Sequence, residues 1–138
     1  MSADSKIQIN IPAVIDVEYI YESQYLPEKL DGLSLRLGFN FEHKENDLII
    51  YAKVLCLNNT NVFISYVTAW TFRLTNIEEA FEFTADGVRD KISIMPTLIN
   101  IVVGGVRGQL ALKTTDLSCG QVVLPLFNID DIIKSIRQ

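Results

Sequence analysis

The stretch from Asp47 to Thr75 admits few structures. Leu48, Ile50, Ala52, Val54 and Cys56 form one unbroken apolar set at alternate positions, while Ile49, Tyr51, Lys53, Leu55 and Leu57 form a mixed one. Beyond Asn58-Asn59-Thr60-Asn61, the set Val62, Ile64, Tyr66, Trp70, Phe72 and Leu74 is interrupted only by Thr68. A period of two carried by β-branched and aromatic residues predicts two strands. Asparagine tolerates the positive φ of a tight turn, so the strands should form a hairpin. Their opposite faces stay partly apolar, through Leu55, Leu57, Phe63, Val67 and Ala69. A sheet with one wet face does not need that, so the second face is expected to meet the chain's own helices or another chain.

On the N-terminal side, Leu33, Leu35, Leu37, Phe39 and Phe41 alternate with Ser34, Arg36, Gly38, Asn40 and Glu42, the pattern of a half-buried strand. The turn His43-Lys44-Glu45-Asn46 leads from it into the central hairpin, giving a three-strand meander. Further upstream, Ile7, Ile9, Ile11, Ile15, Val17, Tyr19 and Tyr21 keep odd positions apolar, with Pro12 between them. Proline cannot donate to a ladder, so this fourth strand belongs at a sheet edge or carries a bulge. Ser23 to Gly32, with Pro27 and Asp31-Gly32, is the connection.

After Thr75 the period changes. Asn76 followed by Glu79 predicts a capping box, with a short helix or crossover turn over Ile77 to Phe83 that Asp86-Gly87 ends. From Val88 to Leu112, Ile92, Met95, Ile99, Val102, Val103, Val106 and Leu110 recur at helical spacing. Beside them runs a second stripe of Ile94, Leu98, Ile101, Gly105, Gly108 and Leu112. A helix apolar on most of its circumference is buried on more than one side. Pro96, Thr97, Asn100 and Arg107 interrupt it too often for a membrane span. Gly104, Gly105 and Gly108 each weaken it by about 1 kcal/mol relative to alanine, which close approach to a neighbour would offset. Ile101, Gly104, Gly105 and Gly108 are therefore candidates for a contact with a symmetry mate, the other reading being a kinked helix packed only in its own domain. Lys113 to Gly120 reads as loop and Gln121 to Phe127 as extended around Pro125. Asn128 should cap a final helix to Arg137, with Asp130 and Asp131 in its first turn and Lys134 and Arg137 in its last.

A length of 138 residues without repeats suits one domain, residues 1–138. A formal charge of −5 and the lack of a lysine and arginine stripe argue against nucleic acid as a partner. Met1-Ser2-Ala3-Asp4-Ser5-Lys6 has no secretory leader pattern, so a cytoplasmic protein is expected. The two cysteines, Cys56 and Cys119, fit no metal or redox spacing and read as reduced thiols. Little else suggests chemistry. His43, the single histidine, lies in a charged turn without an orienting partner. Gly104-Gly105-Val106-Arg107-Gly108 has neither phosphate-loop spacing nor the strand-to-helix position, and no zinc, calcium or nucleophile signature is present. No cofactor, metal or enzymatic reaction is expected. The aromatics Tyr51, Tyr66, Trp70 and Phe72, with Phe81 and Phe83, either fill an ordinary core or line a groove at the sheet edge, where a polar handle on an apolar body suits a partly exposed surface.

The order of elements, four strands, a crossover, a long apolar helix, an extended loop and a short terminal helix, resembles the SecB family of export chaperones. The resemblance is carried by Leu124-Pro125-Leu126-Phe127-Asn128-Ile129-Asp130-Asp131-Ile132-Ile133, by Pro96, and by Phe72-Arg73-Leu74-Thr75-Asn76-Ile77-Glu78. It implies a two-layer α+β fold, a four-stranded antiparallel sheet with the first strand beside the fourth, and a homodimer or homotetramer assembled partly through the long helix. It also implies a holdase that binds unfolded or precursor polypeptides in apolar grooves, with the secretion motor ATPase as a further partner; the six aromatics that could line a groove are then the candidate client-binding residues. The chain departs from the pattern at Gly104-Gly105, at Ser118-Cys119-Gly120-Gln121, which lacks a proline-rich turn, and at its short ending. Those departures put delivery to the motor in doubt more than client holding. Two alternatives stand beside the holdase: an adaptor or chaperone dedicated to one partner, such as a toxin-antitoxin pair, and a small-ligand-binding α+β domain.

Overall fold

The structure, a computed structural model, describes residues 7–29 and 33–136. The expectations for Met1 to Lys6, for Asp31-Gly32 and for Arg137 fall outside the described residues. Strands β1 (Ile9–Tyr21), β2 (Ser34–Lys44), β3 (Asp47–Asn58) and β4 (Asn61–Leu74) form one antiparallel sheet in the order β1-β4-β3-β2. The crossover is a single helical turn, α1 (Ile77–Ala80), followed by the hairpin β5 (Phe81–Thr84) and β6 (Gly87–Asp90). Helices α2 (Met95–Lys113) and α3 (Ile129–Ile136) complete an α+β fold.

Local chemistry explains most boundaries. Glu45 and Asn59, with φ of 55° and 57°, turn the chain between β2 and β3 and between β3 and β4. All five residues of the unbroken apolar set of β3 are buried, Leu48, Ile50, Ala52, Val54 and Cys56 at 1% exposure or less. The alternation fails at one point in β4. Cys56 pairs with Ile64 but Leu57 with Val62, so Phe63 is the extra residue of a β-bulge. The bulge carries Phe63 into the core and moves Val62 to the mixed face beside Leu57, where simple alternation had grouped Val62 with Ile64. Thr68, the one polar interruption of that face, is fully buried and accepts a hydrogen bond from the Trp70 indole N–H at 3.0 Å. β1 lies at the edge beside β4, with register shifts between Asn10 and Ala13 and between Asp16 and Glu18.

The expected capping box does not form. Asn76 is in the left-handed region at φ 55° and its side chain caps nothing; Glu79 N–H bonds the Asn76 carbonyl instead. The long helix starts at Met95, later than the apolar periodicity suggested, because Val88 to Asp90 are held in β6 opposite Phe81 to Phe83. Asp90 then does the capping from outside the helix. Its carboxylate accepts the N–H groups of Ile92 (3.2 Å), Ile94 (3.1 Å) and Met95 (2.7 Å), the last two being donors that a helix start leaves unpaired. Helix α2 has the length and apolarity of a membrane span by composition alone, yet Leu98, Ile99, Val102, Val106 and Leu110 are fully buried against the sheet.

Gly105 accounts for the closeness of that packing. A Cβ built there would collide with the six-membered ring of Trp70, lying 2.6 Å from Cζ2, so only glycine lets the helix sit on the indole. From the end of α2 the chain doubles back along it. Thr114 Oγ accepts from Val122 N–H, Gln121 donates to the Ala111 carbonyl, and the Arg107 guanidinium donates to the carbonyls of Leu124 (3.0 Å) and Pro125 (2.8 Å). Asn128 Oδ1 accepts from Asp130 and Asp131 N–H and caps α3, as the sequence predicted. The long helix and α3 pack on the core face of the sheet, and Ile49, Tyr51, Leu55 and Val67 on the other face remain half-buried.

Candidate functional site

Edge strand β2 turns Leu35, Leu37, Phe39 and Phe41 toward the helices, but α2 lies over β3 and β4 and leaves these four half-buried. Beside them opens a cleft of about 1070 Å³. Its floor is Leu37, Phe39 and Phe41; one wall is the β5–β6 hairpin from Thr84 to Asp90, the other the face of α3 with Ile132, Ile133 and Ile136. Helix α3 owes this face to its isoleucines at 129, 132, 133 and 136, one side of a helix. One edge of the hairpin is fixed to β2 by His43, whose ring stacks on Phe83 with centroids 3.7 Å apart and planes 9° apart. The His43 Nε2–H also donates to the Glu45 carbonyl at 2.7 Å.

Several polar groups of the cleft are already engaged, while Asn40 and Asp86 are exposed. Asp90 accepts three N–H groups from the segment that opens α2, and Arg89 pairs with Glu82 at 3.3 Å across the hairpin. Among the described residues no group of three or more His, Cys, Asp and Glu side chains gathers as metal ligands would. Covering the apolar floor would contribute about 25 cal/mol per Å² of apolar area buried.

The groups whose ionisation is displaced lie elsewhere. Burial pushes the Cys56 thiol up to about 12 in the core. Burial, and then donation to Asp16 at 2.7 Å, pushes the Tyr66 phenol upward. Asp16 in turn is held below the usual carboxylate range by Lys113, 2.7 Å away, and by Tyr66. With Lys113 above the rings of Tyr19 and Tyr66, this cluster ties β1 to the end of α2.

The six aromatics singled out in the sequence do not gather on one surface. Tyr66, Trp70, Phe72 and Phe81 are core residues, none more than 6% exposed. Tyr51 lies on the opposite face of the sheet, donating to Glu42 at 2.9 Å, and Phe83 is half-buried under His43 at the hairpin. Of the α2 residues, Gly105 is committed to Trp70, whereas positions 104 and 108 have open space where a Cβ would stand and Ile101 is 38% exposed. Sequence reasoning assigned Leu37, Phe39 and Phe41 to a buried strand face and Ile132 and Ile136 to a terminal helix, without placing them together. The clean alternation of β2 gave its sidedness; that α2 does not cover this side depends on strand order. Edge strand β1 also leaves Ile11, Val14, Ile15, Val17 and Ile20 exposed by 37% or more, Val14 beside Trp70 on the helix face and Ile15 and Ile20 beside Ala69 and Ser65 on the other.

No protein-family model matches the sequence, and no curated protein matches it. Solved structures do match in shape. A protein of unknown function from Streptococcus agalactiae aligns with a TM-score of 0.44 at 13% identity, over 88% of this chain and 99% of that one. The Mycobacterium tuberculosis SecB-like chaperone Rv1957, solved in complex with a ChAD peptide from the antitoxin HigA1, aligns with a TM-score of 0.56 at 11% identity, over 91% of each chain. Strand order, crossover, long helix and terminal helix therefore make up a SecB-like fold.

Proposed function

We propose that this chain is a SecB-like chaperone of the cytoplasm that holds unfolded polypeptide segments in the cleft between β2, the β5–β6 hairpin and α3. The observation that carries the reading is an apolar floor of Leu37, Phe39 and Phe41 left open in a fold shared with a chaperone. A second observation supports self-association. The exposed apolar residues of β1 and the open stripe of Ile101, Gly104, Gly108 and Leu112 on α2 are uncovered apolar groups that a second copy could bury. A second copy covering them would give the homodimer or homotetramer that the SecB resemblance implies. The antitoxin peptide on the structural neighbour favours a narrower version, a chaperone dedicated to one partner, over general delivery to a secretion motor.

The test is to mix the protein at equimolar ratio with a reduced, unfolded client and to follow aggregation and native mass by light scattering. The expected result is a delayed onset, with the client's mass added to an oligomer. Phe39→Glu should abolish the delay while circular dichroism stays unchanged, because a charge on the cleft floor opposes apolar burial. Wild-type protein that leaves aggregation unaltered would sink the proposal. Capture from the native host separates the two versions, a single dominant protein for the dedicated chaperone and many precursors for the general one.

A further inference from the structure

We propose that a bound segment adds to β2 as a fifth, antiparallel strand, so that the site reads main-chain amides as well as apolar side chains. This rests on the chaperone reading above and specifies its substrate as chain able to extend as a β-strand. The inference follows from register. β2 and β3 pair without a shift from Ser34 with Leu57 to Lys44 with Asp47, across the Glu45-Asn46 turn. The pair that closes so short a turn exchanges its own N–H and C=O groups, and hydrogen-bonded and non-hydrogen-bonded pairs then alternate along an antiparallel ladder. Even-numbered residues of β2 are therefore bonded to β3. The N–H and C=O groups of Leu35, Leu37, Phe39, Phe41 and His43 point the other way, to an edge that no described strand pairs.

Among them, Leu37, Phe39 and Phe41 are the residues whose side chains floor the cleft. An incoming residue directly opposite Phe39 would exchange both main-chain hydrogen bonds with it and, sharing its face, place its side chain over the cleft floor. Anchoring and apolar recognition thus fall on one set of alternate positions in the bound segment. The other free edge is not equivalent. β1 is broken by Pro12 and by two register shifts, which spoil even spacing of its edge groups, and its flanking apolar side chains lie open on the surface instead of lining a cleft. Adding a peptide strand to a regular, uncovered edge with side-chain pockets beside it is an established mode of recognition.

The experiment uses a labelled synthetic peptide of 11 residues, the length of β2, alternating leucine or phenylalanine with threonine or lysine, titrated against the full chain by fluorescence anisotropy. Two variants carry N-methyl groups, one on three apolar residues and the other on three polar residues. N-methylation removes an N–H without removing the side chain. The expected result is loss of about tenfold or more in affinity per methyl on the apolar positions, each a lost hydrogen bond, and little change for the polar positions, whose N–H groups point away from β2. Equal losses in the two variants, or loss confined to the polar set, would overturn the antiparallel strand while leaving apolar holding intact. Failure of the unmethylated peptide to bind would overturn the holding itself.

Discussion

Gly104 and Gly105 are adjacent in α2 and carry opposite constraints. Gly105 faces the Trp70 ring at a distance no Cβ can share, and the indole cannot swing away without giving up its bond to the buried Thr68 hydroxyl. Gly104 faces open space. Gly105→Ala should therefore overpack the helix–sheet contact and cost about 1–3 kcal/mol. Gly104→Ala should raise stability by up to about 1 kcal/mol through helix propensity alone. Urea unfolding of the two variants checks both signs in one comparison. The sequence showed the cost of these glycines but not which one had a reason, because the reason belongs to a residue on another strand.

Among the elements, α2 depends on a carboxylate outside itself. Asp90 ends β6 and gathers three N–H groups from Ile92 to Met95, joining the hairpin wall of the cleft to the start of the helix. Asp90→Ala should destabilise the chain by about 1–2 kcal/mol, in the upper range for a lost cap, and Asp90→Asn by less, as thermal unfolding would show. The sheet was largely legible beforehand: β2, β3 and β4 each carry an alternation long enough to fix strand and face, and Asn128 announced α3. The hairpin was not. β5 and β6 are four residues each, too short for a period of two to be told from a helical turn, and the Asp86-Gly87 break that seemed to end a helix belongs to the hairpin, Asp86 in its turn and Gly87, at φ 131°, opening β6. Missing the hairpin displaced the start of α2 and hid one wall of the cleft. Aromatic character was likewise a poor guide to the site, since the largest rings of β4 were needed by the core, and the cleft floor fell to the edge strand that the core leaves half-covered.

For the molecule as a whole, the sheet grows from near and distant pairings of very different kinds. β2, β3 and β4 are joined by tight turns and form a meander of neighbours in sequence. β1 must reach β4 across that meander: even its nearest pair, Tyr21 with Ile64, encloses both β2 and β3. Beyond the ladder and Glu22 N–H to the Phe63 carbonyl, the Asp16–Lys113–Tyr66 cluster is its main side-chain tie to the helix layer. Closing so large a loop delays a contact in folding, and weakly buried segments open first once folded. Native-state hydrogen exchange should find the amides of β1 that face β4 exchanging well ahead of those shared by β3 and β4, and Asp16→Asn should widen the gap. Equal protection of the two ladders would contradict this order. The strand that carries the most exposed apolar surface would then be the last to join its own sheet and the first to leave it, so that time, as much as area, governs when that surface is available to another chain.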